Sequence, residues 1–135
     1  MFDDIISIIK FGLPPMYKSK REFCPTSGQR LDCLTVLRKK RRKNMNDVKR
    51  WIHVQTIGVR CDHHGKGHGK RMLELLNRTA DSLRVPLYLE THSQSKEAMY
   101  KRFGYRTVEN VNLQVAGDKS STANFTMYLM RRDPH

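Results

Sequence analysis

The chain is short of the features that mark several protein classes. It has only three cysteines, Cys24, Cys33 and Cys61. They are odd in number and lack CxxC spacing, which argues against a disulfide framework and points to a reducing compartment. No apolar run approaches the roughly 18–20 residues of a membrane-spanning helix. Asp3 and Asp4 stand where a secretory leader would carry positive charge, so the sequence reads as soluble, with a cytoplasmic or nuclear location and no membrane partner. Acidic residues are scarce, 13 Asp and Glu against 26 Lys and Arg, giving a formal net charge of +13. Such a balance favours anionic partners: nucleic acid, an acidic surface or a polyphosphate cofactor. There are no internal repeats, and 135 residues suit one domain.

Residues 1–50 and 51–135 read differently. In the first part Asp3–Leu13 fits a short helix stopped by Pro14 and Pro15, and residues 16–30 read as a loop. Leu31–Met45 fits a helix with Leu34, Leu37, Arg41 and Met45 on one face; a short strand near Asp32–Leu37 is the alternative. From Trp51 the pattern sharpens. Residues 51–59 alternate and are β-branched, as in a strand. After a glycine-rich turn, residues 70–85 form an amphipathic helix with Met72, Leu73, Leu76, Ala80 and Leu83 as its apolar stripe, ended by Pro86. Leu87–Thr91 is a short buried strand, residues 95–103 a helix closed by Gly104, and residues 105–115 and 124–131 two strands joined by a polar loop. The order β-α-β-α-β-β predicts an α/β (α+β) fold. It has a mixed central sheet and flanking helices, its first β-α-β unit parallel with a right-handed crossover and its last two strands antiparallel.

The sharpest local feature is Val59–Lys70, where a strand runs through Gly65, Gly67 and Gly69 into a helix. Glycines allow positive φ and close backbone approach, and the free N–H groups of a helix start attract an anion. Lys66, Lys70 and Arg71 add charge. The spacing is not that of a P-loop or of the dinucleotide fingerprint. The bland alternative is a glycine-rich surface turn with solvated lysines. Cys61, His63, His64 and His68 crowd one loop without a second cluster, so no metal site is assigned. The Arg38–Lys43 run, RKKRRK, reads either as a nucleic-acid or nuclear-localisation patch or as a solvated helix face.

The segment His64-Gly65-Lys66-Gly67-His68-Gly69 resembles the R/Q-x-x-G-x-G/A motif of the GNAT superfamily of N-acetyltransferases, departing only in His64. Residues 95–105 resemble the family's Tyr-containing helix, with Tyr100, Gly104 and Tyr105 in register. The resemblance covers about Trp51–Arg132, and Tyr88–Thr91 followed by residues 100–105 is also similar to small-molecule acetyltransferases of the puromycin-acetyltransferase type. It implies acetyl-coenzyme A as co-substrate and transfer to a primary amine by direct attack in a ternary complex. It further implies a cofactor site along Ile57, Gly58 and Val59, then His64, Gly65, Lys66, Gly67, His68, Gly69 and Lys70. Ser93 stands where the family often has a cofactor-contacting Asn; it could instead cap a helix. Tyr100 would be the general acid, its alternative being a core aromatic. Glu90 is the first candidate base, with His53 and Gln55 beside it.

Residues 1–50 do not show the strands with which the family usually begins. The first motif strand is then expected to expose an edge, and a shortened domain, a partner chain or an incomplete gene model would each account for it. A nucleic-acid-binding module and an inactive acetyltransferase-like protein remain the alternative functions. The amine acceptor is not identified, and a homo-oligomer is left open.

Overall fold

The computed structural model describes residues 27–116 and 122–135; the helix expected over Asp3–Leu13 lies outside them. The elements are α1 (Ser27–Asn44), β1 (Ile52–Val54), a 3₁₀ turn (Cys61–His63), α2 (His68–Leu83), β2 (Leu87–Thr91), α3 (Gln94–Arg102), β3 (Arg106–Ala116) and β4 (Thr122–Arg132). The sheet has four strands in the order β1-β2-β4-β3. β1 runs parallel to β2, and β4 is antiparallel to both β2 and β3. The mixed α/β architecture and the order of elements from Trp51 are as the sequence predicts.

β2 is the interior strand on which this arrangement turns. Its side chains alternate in direction, as strand geometry requires. Leu87 and Leu89 enter one core with Ile52, Leu73, Ala80, Tyr100, Tyr105 and Met130. Tyr88 points the other way, into a second core with Leu37, Met45, Val111, Leu113 and Leu129. The first core lies under α2 and α3, the second under α1. A strand buried on both faces reads as a nearly continuous apolar run, which is why Leu87–Thr91 stands out in the sequence.

The helices follow their patterns with instructive exceptions. Leu73 and Ala80 of α2 are buried, but Leu83 at its end is 53% exposed. Within the same stripe sits a buried polar residue, Asn77. Its amide nitrogen donates to the Phe103 carbonyl at 3.0 Å and its Oδ1 accepts from the Tyr105 hydroxyl at 3.4 Å, so it ties α2 to the end of α3. Helix α2 closes with Arg84 in the left-handed region (φ 51°) and the Val85 N–H donating back to the Ala80 carbonyl at 3.0 Å, a Schellman-type stop. Helix α3 starts on Ser93, whose hydroxyl accepts from the Lys96 N–H, satisfying one of the donors left free at a helix start.

Four expectations are revised. α1 reaches back to Ser27, into the segment read as loop, and the alternative strand near Asp32–Leu37 is helix. Leu34 is exposed while Leu37 and Met45 are buried, so the inward face is narrower than the apolar spacing suggests. The strand read over residues 51–59 is regular only at Ile52–Val54. It is an edge strand among the described residues, with one neighbour, and nothing on its open side holds residues 55–59 in a ladder. Conversely, the β3–β4 ladder extends to Ala116↔Thr122, into the segment read as loop.

Two adjacent arginines at the end of β4 join the layers. Arg131 points to the α1 side, where it donates to both Asp47 carboxylate oxygens at 2.7 and 2.8 Å and to the Asn44 carbonyl at 3.3 Å. Arg132 points to the α2 side and donates to both Asp81 oxygens at 2.7 and 2.9 Å. Paired, fork-shaped contacts of this kind are the stronger form of ion pair. The Arg132 hydrogen bonds lower the Asp81 carboxyl to about 2, against the desolvation that opposes them.

A carboxylate whose folded value lies below its unfolded value stabilises at neutral pH, and the contribution is lost as pH falls through the folded value. Asp81→Ala should destabilise the chain by about 3 kcal/mol in urea denaturation at pH 7, because it leaves a buried guanidinium unpaired. The gap between wild type and variant should narrow as pH falls from about 4 to about 2.

Candidate cofactor cleft

The pairing of β1 with β2 ends at Val54↔Leu89, while β2 continues to Thr91 alongside β4. Beyond Val54 the chain leaves the sheet through residues 55–60. The two parallel strands therefore part at their carboxyl ends, where ligands bind in open α/β sheets. Ile57 turns back onto the core under α2, whereas Gln55, Thr56 and Gly58 are exposed.

The glycine-rich segment leads from this opening into α2. Gly65 and Gly67 have φ of 75° and 76°, and Gly67 is the N-cap of α2. That backbone conformation disfavours any residue with a Cβ. A Cβ built at Gly58, Gly65 or Gly67 would meet nothing within 4 Å, and one at Gly69 would meet only Val59 Cγ2 at 3.8 Å. The glycines thus face open space rather than protein. No side chain caps the helix, so its first N–H groups and the positive end of its dipole are left for an anion. An uncapped start on a 16-residue helix, set at the mouth of a strand opening, is the chemistry a pyrophosphate requires.

The loop's own side chains brace it. His64 Nε2 lies 2.8 Å from the Val59 carbonyl, Lys66 Nζ donates to the Asp62 carbonyl at 3.2 Å, and Arg60 pairs with Asp62 at 2.9 Å. The His63 and His68 rings meet edge to face at 5.7 Å. Lys70 lies 3.8 Å from Glu74. Ser93 is held at the start of α3, its hydroxyl 2.8 Å from that of Ser95.

Tyr100 is buried under the opening beside Tyr105, ring centroids 5.7 Å apart. Burial raises its phenol above the ordinary value. It is protonated at neutral pH.

Glu90 lies on the opposite face of β2 from Leu89 and therefore from Tyr100. It joins His53 and Arg41 under α1: Glu90 Oε2 is 3.7 Å from His53 Nε2, and Oε1 is 3.8 Å from Arg41 Nη1. Arg41 Nη1 is 2.9 and 3.0 Å from the two ring nitrogens of His53. An atom so close to both lies over the ring face, a cation–π contact rather than a bond to one lone pair. Glu90 Oε1 and the Tyr88 hydroxyl are buried with no hydrogen-bond partner among the described residues. Buried polar groups are normally satisfied, so this pair marks the cluster as more than packing. Arg41 and Tyr88 were not candidates in the sequence. The signal was the i, i+2 spacing of Tyr88 and Glu90, which puts both on one face of a strand, but the arginine comes from a helix and needs the fold.

With this geometry in place, the comparisons with known proteins have a structural counterpart. A family model described as the acetyltransferase (GNAT) domain matches residues 25–107, which takes in α1 through the start of β3. Among solved structures, Arabidopsis thaliana NAA60 in complex with a bisubstrate analogue aligns with a TM-score of 0.50 at 20% identity, over 67% of this chain and 56% of that one. A putative acetyltransferase from Agrobacterium tumefaciens aligns with a TM-score of 0.49 at 12% identity, over 93% of this chain and 99% of that one. The chain spans little more than half of the Arabidopsis protein, and the likeness is one of fold. No curated protein matches. The chain belongs to the GNAT acetyltransferase family, the match extending over α1 as well as the two motifs.

Gly67 and Gly69 should respond oppositely to a methyl group. Gly69 has helical geometry and room, so Gly69→Ala should stabilise the free chain by about 0.5–1 kcal/mol. Gly67→Ala, in the left-handed region, should destabilise it by about 1 kcal/mol. Urea denaturation of the two variants checks both signs.

Proposed function

We propose that the chain is an acetyl-coenzyme A-dependent N-acetyltransferase that moves the acetyl group to a primary amine by direct attack. The observation that carries this reading is the parting of β1 from β2 after Val54, with the uncapped, glycine-lined start of α2 at its mouth. Backbone groups of Ile57, Gly58 and Val59 would hold the pantetheine arm, and Gly65, Gly67, Gly69 and the adjoining N–H groups the pyrophosphate, with Lys66, Lys70 and His68 at its rim. His64 would act indirectly, by fixing the Val59 carbonyl. Ser93, occupied as a cap, would bring the start of α3 to the cofactor. Acetyl-coenzyme A supplies a thioester, an acyl group already activated toward amines.

The residues of the chain then divide the proton work across β2. An amine acceptor has a pKa near ~10.4 and must lose a proton to attack. Glu90, with His53 beside it, would take that proton on the α1 face. As the new C–N bond forms and the C–S bond breaks, the nitrogen would release its second proton to solvent through the same pair, and a backbone N–H within Ile57–Val59 would face the charge growing on the carbonyl oxygen. Tyr100 would deliver its phenolic proton to the leaving sulfur from the opposite face. A phenol near ~10 or above suits a thiol near ~8.5, because the proton is given only as negative charge develops on sulfur.

Coenzyme A at millimolar concentration should raise the melting temperature, since it binds the folded chain selectively. Gly69→Val should remove that shift while leaving the free chain folded. An unchanged shift in the variant would exclude this loop as the pyrophosphate site, and no shift in the wild type would exclude the reading as a whole.

Tyr100→Phe removes only the hydroxyl. Turnover should fall by roughly ten- to a thousand-fold, with coenzyme A affinity and melting temperature nearly unchanged. A purely structural tyrosine gives the reverse: the Phe variant is silent in turnover, and Tyr100→Ala alone shows a loss, of about 3–5 kcal/mol in stability.

A further inference from the structure

The RKKRRK run is the strongest sequence feature that the acetyl-transfer reading leaves unused, and the fold sorts its six residues. Lys40 and Arg41 turn inward, Lys40 to Glu109 and Arg41 to His53 and Glu90. Arg38, Lys39, Arg42 and Lys43 are exposed. At about 100° per residue these four cover an outward arc of roughly 140°, opposite the face carrying Cys33, Leu37 and Asn44. Lys49 and Arg50, exposed in the segment that follows, prolong the basic surface toward β1.

Among the described residues the outward four form no ion pair, although Lys43 is near enough to Glu109 to help lower its carboxyl. Their i±4 neighbours are Leu34, Thr35, Asn46 and Asp47, besides one another. Asp47, four residues after Lys43, is taken by Arg131 through both carboxylate oxygens at 2.7 and 2.8 Å. None of the four forms an ion pair with any described residue. Like charges at i, i+4, here Arg38 with Arg42 and Lys39 with Lys43, destabilise a helix. The helix dipole favours cations only within its last turn, which accounts for Arg42 and Lys43 but not for Arg38 and Lys39.

We propose that this outward face of α1 binds the phosphate backbone of double-helical nucleic acid, as a function separate from acetyl transfer. Four unpaired cations within about 7.5 Å of helix axis match the charge density of a duplex, one negative charge per about 1.7 Å. The stripe has no aromatic side chain, so it lacks the stacking platform with which proteins grip single strands. Its cations engage phosphates by charge, the sequence-independent part of nucleic-acid binding. Insertion into a membrane would need a continuous apolar face on the same helix; Leu37 is buried against the sheet, and the exposed Leu34 and Val36 stand singly at opposite edges of the stripe.

The test is fluorescence anisotropy of the full chain with a labelled duplex of about 20 base pairs across a salt series. Four phosphate contacts predict a slope of log affinity against log salt near about −3.6. Changing Arg38, Lys39, Arg42 and Lys43 together to Gln should reduce the magnitude of that slope by about 3.6. The pairs R38Q/R42Q and K39Q/K43Q should each remove about half of it. Replacing four exposed cations of the opposite layer, Arg78, Arg84, Lys96 and Arg102, by Gln should change the slope by less than about one. The coenzyme A melting shift should persist in the α1 variants, separating loss of this surface from loss of the fold or of the cofactor site. A salt-insensitive wild type, an unchanged slope in the α1 variants, or an equal loss in the opposite-layer variant overturns the proposal. So does binding to vesicles of anionic lipid without binding to the duplex.

Discussion

Everything in this structure depends on β2 being paired on both edges and buried on both faces. Its five residues, Leu87–Thr91, pair with β1 on one side and β4 on the other. Because side chains alternate along a strand, neighbouring residues are committed to different layers: Leu89 to the core of α2 and α3, Tyr88 to that of α1. A slip of one residue would exchange the two sets and bury Glu90 in the apolar core that now holds Leu89. The same alternation puts the carboxylate candidate and the tyrosine candidate on opposite sides of one strand, next to the point where β1 departs.

How much of this was legible in the sequence follows from where the information is local. Helix α2, strand β2, helix α3 and the C-terminal hairpin are each specified by their own periodicity and punctuation: Pro86, the Ser93 cap and Gly104, with its φ of 88°. The glycine loop was legible because positive φ restricts residue choice. What could not be read was set by partners. The length of β1 depends on the strand beside it, since residues 55–59 alternate as well as Ile52–Val54 but pair with no strand among the described residues. The exposure of Leu34 depends on where the sheet ends beneath α1. The Arg41–His53–Glu90 cluster unites a helix and two strands that are far apart in sequence, and Asn77 looks like an interruption in an apolar stripe until Phe103 and Tyr105 are brought to it.

The charge of the chain is likewise less uniform than its total suggests. Arg131 and Arg132 are among its most buried polar residues, each paired with a carboxylate from a different layer, and Lys40 and Arg41 are turned to acidic partners. The scarce carboxylates are therefore spent largely in holding the fold together. The +13 charge is expressed at the glycine loop, where the helix start already favours an anion, and along the outside of α1.

The place of β4 in the chain has a consequence for assembly. It is made after every other described element, yet it lies inside the sheet, between β2 and β3, and its last two residues carry the ties to both helical layers. Until Arg131 and Arg132 are synthesised, β2 has an open edge and neither layer can be fastened to it. The β3–β4 hairpin forms from near neighbours, whereas β1 must find β2 across the whole of α2, a closure of higher contact order and so a slower one. During synthesis the chain would therefore carry its helices as loosely held segments, and the opening between β1 and β2 would take shape last, after a strand that never touches it has slid into the middle of the sheet.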